Sequence, residues 1–522
     1  MKIIKITFLL SCLFLFFGCS EDKGNYDYID LNDVEISGLK SVYYPYVLDT
    51  LRLEPELTYS LNNEANVSYE WKLGQDQVIG TEKNLEFVIP SDIEGNASVL
   101  FTVTDNETGL TKQANVTLLS RQLYANGWLI LSEKDGKSAL TLIRRDWLEE
   151  KEGEQIYEYS EFYDVYATNM KEELGSQPLQ IQEHWRSGDN RNPGHVMLVQ
   201  KGGQACVDLF GGTLTKSLNT DKEFIALPAN YNPKEIMYGE EFSYILNQDG
   251  KLFSRKNFSK ESYYSGYFSD YPVNFEEDGK STELNVENFV PNFNYRDCGF
   301  VMAYEKVNKR FLLISDFVGF SEDNSGRITT LEYNDYPSLN FIPLHDTGNN
   351  DYFYCSGYGV RAWGSTGFYN IFKTAEGKFI EQQLELKFDK YGSGAVLITP
   401  IKVREIPSEF INDNSVVDVP DGGGGYGSTN VYISCGNKLN YYNRMGGDSI
   451  DLIEYYTFDS DIISIDDQHY QNKMICVALA NGDVYIMDVS DGALAGRDEK
   501  LMHKLNKNIG DIKQVLYKIG GR

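Results

Sequence analysis

The sequence lacks every catalytic signature that spacing alone would reveal. It contains no GxSxG nucleophile elbow, no HExxH zinc motif and no P-loop. Its 5 histidines are scattered over positions 184, 195, 345, 469 and 503, and its 7 cysteines form no CxxC pair and no Cys/His metal spacing. The 77 acidic residues are too numerous to single out an acid/base pair. We therefore expect no catalytic residue, no metal ligand and no cofactor.

Positive charge and long apolar runs are also scarce. The chain has 48 Lys and Arg against 77 Asp and Glu, a formal net charge of −29. Nucleic acid is therefore excluded as an expected partner, because its phosphates require a basic surface. One continuous apolar run stands out, Phe8–Phe17, broken only by Ser11 and Cys12. It is shorter than the roughly 20 residues that span a bilayer as a helix.

The first residues have the order of a secretory signal. Lys2 and Lys5 precede the apolar run, and Gly18 and Cys19 follow it. This ending resembles the signal of bacterial lipoproteins, which implies cleavage before Cys19 and acylation of that cysteine. Two or more acyl chains anchor a protein stably to a membrane. The alternative is an ordinary signal peptide in which the cysteine occurs by chance.

The residues after the cysteine carry a second resemblance. Ser20-Glu21-Asp22 resembles the acidic export signal of surface-exposed lipoproteins in some Gram-negative bacteria. We expect residues 1–18 to be the signal peptide and residues 19–30 a lipidated flexible tether. The resemblance implies the outer membrane, with the protein facing the exterior; a periplasm-facing anchor is the alternative.

Aromatic and β-branched residues favour an all-β chain. There are 37 tyrosines and 28 phenylalanines, which suit pleated, half-buried surfaces. Between residues 31 and 120, short alternating runs such as Val67–Leu73, Ala97–Thr104 and Thr111–Leu119 are separated by turn signals. This pattern predicts a small β-sandwich with Trp71 in its core.

Several short motifs of this region carry a family resemblance. They are Gly24-Asn25-Tyr26, Ile36-Ser37-Gly38-Leu39, Tyr69-Glu70-Trp71, and Val103-Thr104-Asp105 with Thr108-Gly109. They resemble the PKD-like, immunoglobulin-type domains of bacterial surface lipoproteins. The resemblance covers roughly the first quarter of the chain.

Residues 121–522 contain a repeated unit of two apolar strands joined by a tight turn. The clearest copy is Met474–Leu479, Asn481-Gly482 and Val484–Met487, where Asn-Gly suits a type I′ turn. Similar turns are centred near positions 136, 202, 250, 309, 377, 437 and 482. Strands with two apolar faces need cover on both sides, which radial packing provides. The repeat predicts a seven- or eight-bladed β-propeller, against a sandwich pair or a β-helix.

Three segments between the hairpins exceed ordinary loop length, and aromatic residues mark candidate ligand sites. We expect long connections at 149–178, 257–298 and 319–352. Aromatic side chains among polar groups can bind a glycan or a peptide. The candidate ligand-binding residues are Trp185, Arg186, Tyr263, Tyr264, Tyr267, Tyr358, Arg361 and Trp363. Packing between blades is the alternative role for each.

The PKD-like resemblance implies that the protein associates with TonB-dependent importers of the SusC/SusD type. The sequence therefore predicts an accessory lipoprotein that binds a glycan or peptide nutrient without breaking a bond. Two other classes stay open: a propeller glycoside hydrolase or lyase, and an adhesive or structural lipoprotein that binds other proteins.

Overall fold

The chain divides into two compact units, residues 1–121 and residues 122–522. A computed structural model describes residues 31–61, 66–90, 96–151, 154–184, 194–239, 241–259, 264–277, 279–290, 299–317, 325–332, 339–361, 365–389, 394–420, 429–469, 473–497 and 499–519. For residues 147–151, 154–155 and 359–361 it describes the backbone only. The signal peptide and tether predicted over 1–30 lie outside the described residues.

The first unit is built from strands that pair antiparallel, except for the parallel pair β2 and β9, and its main sheet has five strands. Its strands are β1 (Val34–Ser37), β2 (Val42–Tyr43), β3 (Thr50–Leu53), β4 (Glu56–Tyr59), β5 (Val67–Leu73), β6 (Gln77–Gly80), β7 (Leu85–Val88), β8 (Asn96–Asp105) and β9 (Thr111–Leu119). The main sheet has the order β2-β9-β8-β5-β6, and β1-β4 and β3-β7 form two further ladders. The three alternating runs predicted from the sequence correspond to β5, β8 and β9.

Trp71 is the centre of this unit, as predicted. Its side chain is fully buried and its ring stacks on Phe101 with centroids 4.2 Å apart. The indole N–H donates a hydrogen bond of 2.9 Å to the carbonyl oxygen of Glu82. Alternate residues of β8, Val99, Phe101 and Val103, belong to the same buried cluster. The period-two pattern therefore directs one face of the sheet into the core.

The second unit is a β-propeller, and within its described residues seven sheets form the blades. Blade 1 holds β10 (Gly127–Lys134), β11 (Lys137–Lys151), β12 (Glu154–Phe162) and β38 (Asp511–Lys518); blade 2 holds β13 (Gly175–His184), β14 (His195–Gly203), β15 (Cys206–Phe210) and β16 (Lys216–Asn219); blade 3 holds β17 (Pro233–Tyr238), β18 (Phe242–Asn247) and β19 (Leu252–Lys256); blade 4 holds β22 (Val286–Phe289), β23 (Phe300–Glu305), β24 (Arg310–Ser315) and β25 (Ile328–Thr330). Blade 5 holds β26 (Asp351–Arg361), β27 (Ser365–Lys373), β28 (Phe379–Phe388) and β29 (Val396–Ile406); blade 6 holds β30 (Val417–Asp418), β31 (Asn430–Cys435), β32 (Lys438–Asn443) and β33 (Ile453–Thr457); blade 7 holds β34 (Ile462–Asp467), β35 (Met474–Leu479), β36 (Val484–Asp488) and β37 (Leu501–Lys504).

The prediction of an all-β chain, with a PKD-like region followed by a propeller, is confirmed. Every predicted hairpin joins the second and third strands of one blade, counted outwards from the propeller axis. Asp135-Gly136, for example, joins β10 to β11, and Asn481-Gly482 joins β35 to β36. In blade 2 the turn lies at Gln204-Ala205, two residues after the predicted Gly202-Gly203, because β14 continues through Gly203.

Seven apolar clusters among the described residues each join two neighbouring blades, including blade 7 to blade 1. Strand β10 shows how. Leu129 and Leu131 pack towards blade 2, whereas Trp128 and Ile130 pack towards blade 7. Successive side chains of a strand point to opposite faces, so an apolar strand fills two clusters at once. Both faces of these strands carry apolar residues because each face packs against a neighbouring blade.

The long segments contain more regular structure than predicted. The prediction of a long connection at 149–178 is wrong. This segment holds the end of β11, all of β12, helix α1 (Val165–Met170) and the start of β13. The segment 257–298 carries a hairpin of β20 (Asn274–Glu277) and β21 (Lys280–Glu283), followed by β22. A 3₁₀ helix (Thr220–Glu223) and helix α2 (Asp491–Leu494) complete the described elements. None of the described helices has the length and apolarity needed to span a bilayer.

Candidate functional site

The innermost strands of the propeller line a cavity of about 310 Å³ at its axis. Inner strands of all seven described blades contribute to its wall. Its lining includes Gln180, Gln182 and Glu183 of blade 2, Glu235 and Met237 of blade 3, Phe289 of blade 4, Tyr354 and Ser356 of blade 5, Asp418 of blade 6, Asp466, Asp467 and His469 of blade 7, and Gln514 and Tyr517 of blade 1. This volume is at the lower end of the roughly 300–1,000 Å³ typical of small-ligand sites.

One carboxylate of the cavity is neutralised within the protein. Glu183 is the second-last residue of β13, the inner strand of blade 2, and its Oε1 atom lies 3.3 Å from Nζ of Lys518. The backbone N–H of Ile519 donates a hydrogen bond of 2.9 Å to Oε2 of the same side chain. Burial lowers the pKa of Lys518, while Glu183 opposes that effect. This ion pair therefore joins blade 1 to blade 2 and is a structural contact.

Glu235 has no such cation in ion-pair contact among the described residues. The backbone N–H of Phe289 donates a hydrogen bond of 2.8 Å to its Oε2 atom. Burial raises the pKa of Glu235 to about 7, against the weaker opposing effects of that hydrogen bond and of Lys234. A carboxyl group in this state can accept or donate a proton near neutral pH.

A second acidic group lies where blades 6 and 7 face the axis. His469 Nδ1 is 3.2 Å from Asp467 Oδ1, and His469 Nε2 is 3.9 Å from Asp466 Oδ2. The backbone N–H of Tyr517 donates a hydrogen bond to Asp466. Burial raises the pKa of Asp466 to about 7, although His469 opposes this. Burial and the neighbouring charges of Asp467 and Asp466 raise the pKa of Asp418 well above its usual range.

Aromatic rings form another part of the cavity wall. Tyr517 packs edge-on against Trp128 with ring centroids 4.9 Å apart, and its hydroxyl oxygen accepts a hydrogen bond of 3.3 Å from Gln468 Nε2. Tyr354 and Phe289 line the cavity from blades 5 and 4. The cavity thus combines hydrogen-bond acceptors with flat apolar faces, the mixture that binds sugar hydroxyls and sugar rings or peptide groups.

A separate buried polar cluster lies between blades 2 and 3. Asp208 accepts hydrogen bonds from both of its neighbouring imidazoles, at 2.9 Å from His184 Nε2 and at 2.5 Å from His195 Nδ1. The hydroxyl group of Tyr264 donates a further hydrogen bond to Asp208 Oδ2. The pKa of Asp208 is lowered to about 2, because the two histidines outweigh the opposing effect of burial.

This cluster continues into blade 3 through aromatic stacking. The His184 ring stacks on Tyr238 with centroids 4.2 Å apart. The Tyr238 hydroxyl donates a hydrogen bond of 2.8 Å to Glu223 Oε1, and Arg255 donates to the other oxygen of Glu223. Both carboxylates of the network have several donors within it. The arrangement therefore stabilises the junction between the two blades.

The described residues among the predicted ligand-binding side chains are dispersed. Tyr264 belongs to the Asp208 cluster, and its hydroxyl is also 2.8 Å from Ser217 Oγ. Tyr267 is 59% exposed. Tyr358 is buried between blades 5 and 6, with the Arg444 guanidinium 3.7 Å above its ring. None of these three lines the axial cavity as described.

The other predicted site residues are not described at the level of their side chains. Cys19, Trp185, Arg186, Tyr263 and Trp363 lie outside the described residues, and only the backbone of Arg361 is described, at the end of β26. Their predicted roles stay predictions.

The acidic cavity residues were missed by the sequence reasoning. In the structure Asp413 forms an ion pair with Lys373 at 2.5 Å, whereas Asp418 faces the axis. The local signal was Asp466-Asp467-Gln468-His469, where an imidazole follows two carboxylates directly after an apolar strand.

Comparison with known proteins gives one partial family match and distant structural similarities. The sequence model of the PKD-like family matches residues 19–178, less than half of the chain. Among curated proteins, no sequence matches the chain. The chain is similar to a quinonprotein alcohol dehydrogenase-like protein from Bacteroides thetaiotaomicron VPI-5482, with 12% identity and a TM-score of 0.40 over 92% of this chain and 97% of that one.

Two further structures have a similar fold. AztD from Citrobacter koseri is 13% identical, with a TM-score of 0.36 over 80% of this chain and 94% of that chain. The β-propeller domain of Cps50 (Swd1) from Myceliophteria thermophila is 9% identical, with a TM-score of 0.34 over 64% of this chain and 88% of that chain. At these identities and TM-scores the similarities carry no argument about activity.

Proposed function

We propose that this protein is a lipid-anchored, outward-facing protein of the outer membrane that binds a glycan or peptide nutrient in the axial cavity of its propeller. On this proposal it serves as an accessory to a TonB-dependent importer of the SusC/SusD type. The observation that carries the proposal is the axial cavity of about 310 Å³, to which the inner strands of all seven described blades contribute.

The wall of the cavity suits a ligand that carries both polar groups and apolar faces. Glu235 and Asp418 offer carboxylate oxygens to hydroxyl or ammonium donors, and Tyr354, Tyr517 and Phe289 offer flat faces. Sugar rings and peptides both present this combination of groups. The cavity volume is that of the smallest pockets that bind small molecules, so the cavity can hold only a short portion of a glycan or a peptide.

The proposed location rests on the sequence. The apolar run before Gly18-Cys19 favours export, and Cys19 supplies an acylation site. The match to the PKD-like family model begins at residue 19, the predicted first residue after cleavage. This coincidence supports a mature chain that starts at the cysteine.

Ligand binding is tested with the soluble form that starts at Ser20, on glycan and peptide arrays followed by calorimetry. Glu235→Gln is expected to weaken binding of any ligand found at least tenfold, because it removes a charged acceptor from the cavity wall. Glu454→Gln is the matched control, since Glu454 lies on the outer strand β33 with a side chain 47% exposed. Equal affinities of Glu235→Gln and the parent protein would place the ligand elsewhere.

Anchoring and partnership need separate experiments. Growth with labelled palmitate should label the parent protein, while Cys19→Ser should abolish the label. Protease treatment of whole cells should degrade an outward-facing protein. Isolation of intact complexes from outer membrane should recover an importer; recovery of this chain alone would contradict the partnership, and recovery of other surface proteins would favour the adhesive alternative.

A second candidate function is supported by two groups of the same cavity. Burial raises the pKa of both Glu235 and Asp466 to about 7, and such carboxyl groups suit general acid/base catalysis of glycoside cleavage. Incubation with mixed polysaccharides, followed by an assay for reducing ends or unsaturated products, tests this function. Product formation that disappears in Glu235→Gln would favour an enzyme over a binding protein.

A further inference from the structure

Three side chains of blade 7 converge at the axis with ligand atoms close together. Asp466, Asp467 and His469 can each present one ligand atom within 4.8 Å of the other two. Asp466 and Asp467 end strand β34, and His469 follows after one residue. A rigid inner strand therefore positions the two carboxylates, as a preformed site requires.

Two carboxylate oxygens at this place have no hydrogen-bond donor among the described residues. They are Oδ2 of Asp467 and Oδ2 of Asp418 on the neighbouring blade. Asp467 is 2% exposed and Asp418 is 9% exposed, and both line the cavity. A buried carboxylate oxygen without a donor is costly, so such atoms indicate a partner beyond the described residues.

The local balance of charge indicates that this partner is a cation. Three carboxyl groups, Asp418, Asp466 and Asp467, face one imidazole. The nearby ammonium group of Lys518 is already paired with Glu183. The mutual repulsion of the carboxylates would be relieved most effectively by a positive charge placed among them.

We propose that the axial cavity holds a divalent metal cation bound by Asp466, Asp467 and His469, with Asp418 supplying a fourth oxygen ligand or its charge. The imidazole nitrogen selects the class of metal: mixed nitrogen and carboxylate ligands suit Zn²⁺ or Mn²⁺, while Ca²⁺ and Mg²⁺ prefer oxygen ligands throughout. The site requires no nutrient, so it goes beyond the function proposed above.

The second such group among the described residues, His184, His195 and Asp208, is less suited to a metal. Both oxygens of Asp208 already accept hydrogen bonds, from the two histidines and from Tyr264. A metal there would have to replace contacts that the protein satisfies itself. A variant of that group is therefore a suitable control for metal binding.

The test measures metal binding to the soluble chain without any nutrient. After removal of metal with a chelator, the protein is titrated with Zn²⁺, Mn²⁺ and Ca²⁺ by calorimetry, and bound metal is counted by mass spectrometry after dialysis. We expect one equivalent of Zn²⁺ or Mn²⁺ per chain and weaker binding of Ca²⁺. His469→Gln and Asp467→Asn should each lower the affinity at least tenfold.

Two histidine variants are the controls. His503→Gln changes another histidine paired with a carboxylate, Glu161 at 2.8 Å, and should leave metal affinity unchanged. His195→Gln tests the cluster between blades 2 and 3. Loss of metal binding in His195→Gln with full binding in His469→Gln would overturn the proposal, and so would a chelator-treated parent protein that binds none of the three cations.

A spectroscopic measurement guards against variants that fold poorly. Co²⁺ added in place of Zn²⁺ should give visible absorption bands in the parent protein, and His469→Gln should change their position because a nitrogen ligand is lost. Identical spectra in the two proteins would contradict ligation by His469. Nutrient binding is measured separately on the metal-free protein, so failure of one proposal is distinguishable from failure of the other.

Discussion

The ammonium group of Lys518 donates a hydrogen bond of 2.7 Å to the carbonyl oxygen of Ala125, which lies 393 positions earlier in the chain. The same ammonium group pairs with Glu183 of blade 2 at 3.3 Å. One side chain on the last strand thus connects the start of the propeller to its second blade. Its side chain is fully buried, so these contacts are not screened by water.

Lys518→Met is expected to lower the free energy of unfolding by about 3–5 kcal/mol, because it leaves Glu183 buried without its cation. Chemical denaturation of the soluble chain measures the change. Lys504→Met is the matched control, since its ion pair with Asp483 is partly exposed to solvent and should contribute about 0–1 kcal/mol. The double variant Lys518→Met/Glu183→Gln should recover part of the loss; no recovery would argue against the buried pair as its cause.

Tyr264→Phe is expected to lower the free energy of unfolding by about 1–3 kcal/mol, because the hydroxyl group donates to buried Asp208. Tyr267→Phe should change stability by less than about 0.5 kcal/mol, since Tyr267 is 59% exposed. Thermal denaturation of both variants makes the comparison. Equal stabilities would show that the contact between Tyr264 and Asp208 contributes nothing measurable.

Glu235 should make stability depend on pH. Its folded-state pKa of about 7 exceeds the ordinary value of 4.5, so the folded protein binds more protons than the unfolded chain between those values. Stability from this group is therefore fully present below about pH 4.5 and is lost as the pH rises through 7. The effect is on the order of 1–3 kcal/mol, since the side chain faces the cavity and is partly accessible.

The measurement compares unfolding by urea at pH 5 and pH 8. Glu235→Gln should lose less stability than the parent protein over this interval, because glutamine does not titrate. Lys234 and Glu287, the charged neighbours of Glu235, are unchanged in this variant. A parent protein and a variant with the same pH dependence would contradict the raised pKa.

Trp71→Ala is expected to destabilise the first unit by about 3–5 kcal/mol, because it removes a fully buried side chain and leaves a cavity beside Phe101. Hydrogen exchange should accelerate in β5 and β8. Val78→Ala, on β6 of the same sheet, is the control, since Val78 is 49% exposed. Unchanged hydrogen exchange in Trp71→Ala would contradict a stabilising role of Trp71 in the core of this unit.

The blades were predictable because each carries a local signal. Asn481-Gly482 and Asp135-Gly136 set the chain reversal through a few residues, and the apolar strands on either side show that both faces are covered. The inner and outer strands were harder to find. Strand β30 has only two residues, and β12 lies in a polar segment that resembles a loop.

The axial cavity was not predictable because its residues come from different blades. Glu235 and Asp466 are 231 positions apart (466 − 235), and no local pattern indicates that both face one cavity. The aromatic residues chosen from the sequence illustrate the opposite case. Tyr358 stands two residues from Ser356 on the same inner strand, yet it packs between blades while Ser356 lines the cavity.

The strand pairing of blade 1 has a consequence for biosynthesis. Strand β10 is made early, but its inner neighbour, β38, is the last strand of the chain. Until Asp511–Lys518 has emerged from the ribosome, the inner edge of β10 stays open and available to other chains. A nonsense mutation shortly before residue 511 would therefore give an aggregation-prone product, although nearly all of the sequence had been translated.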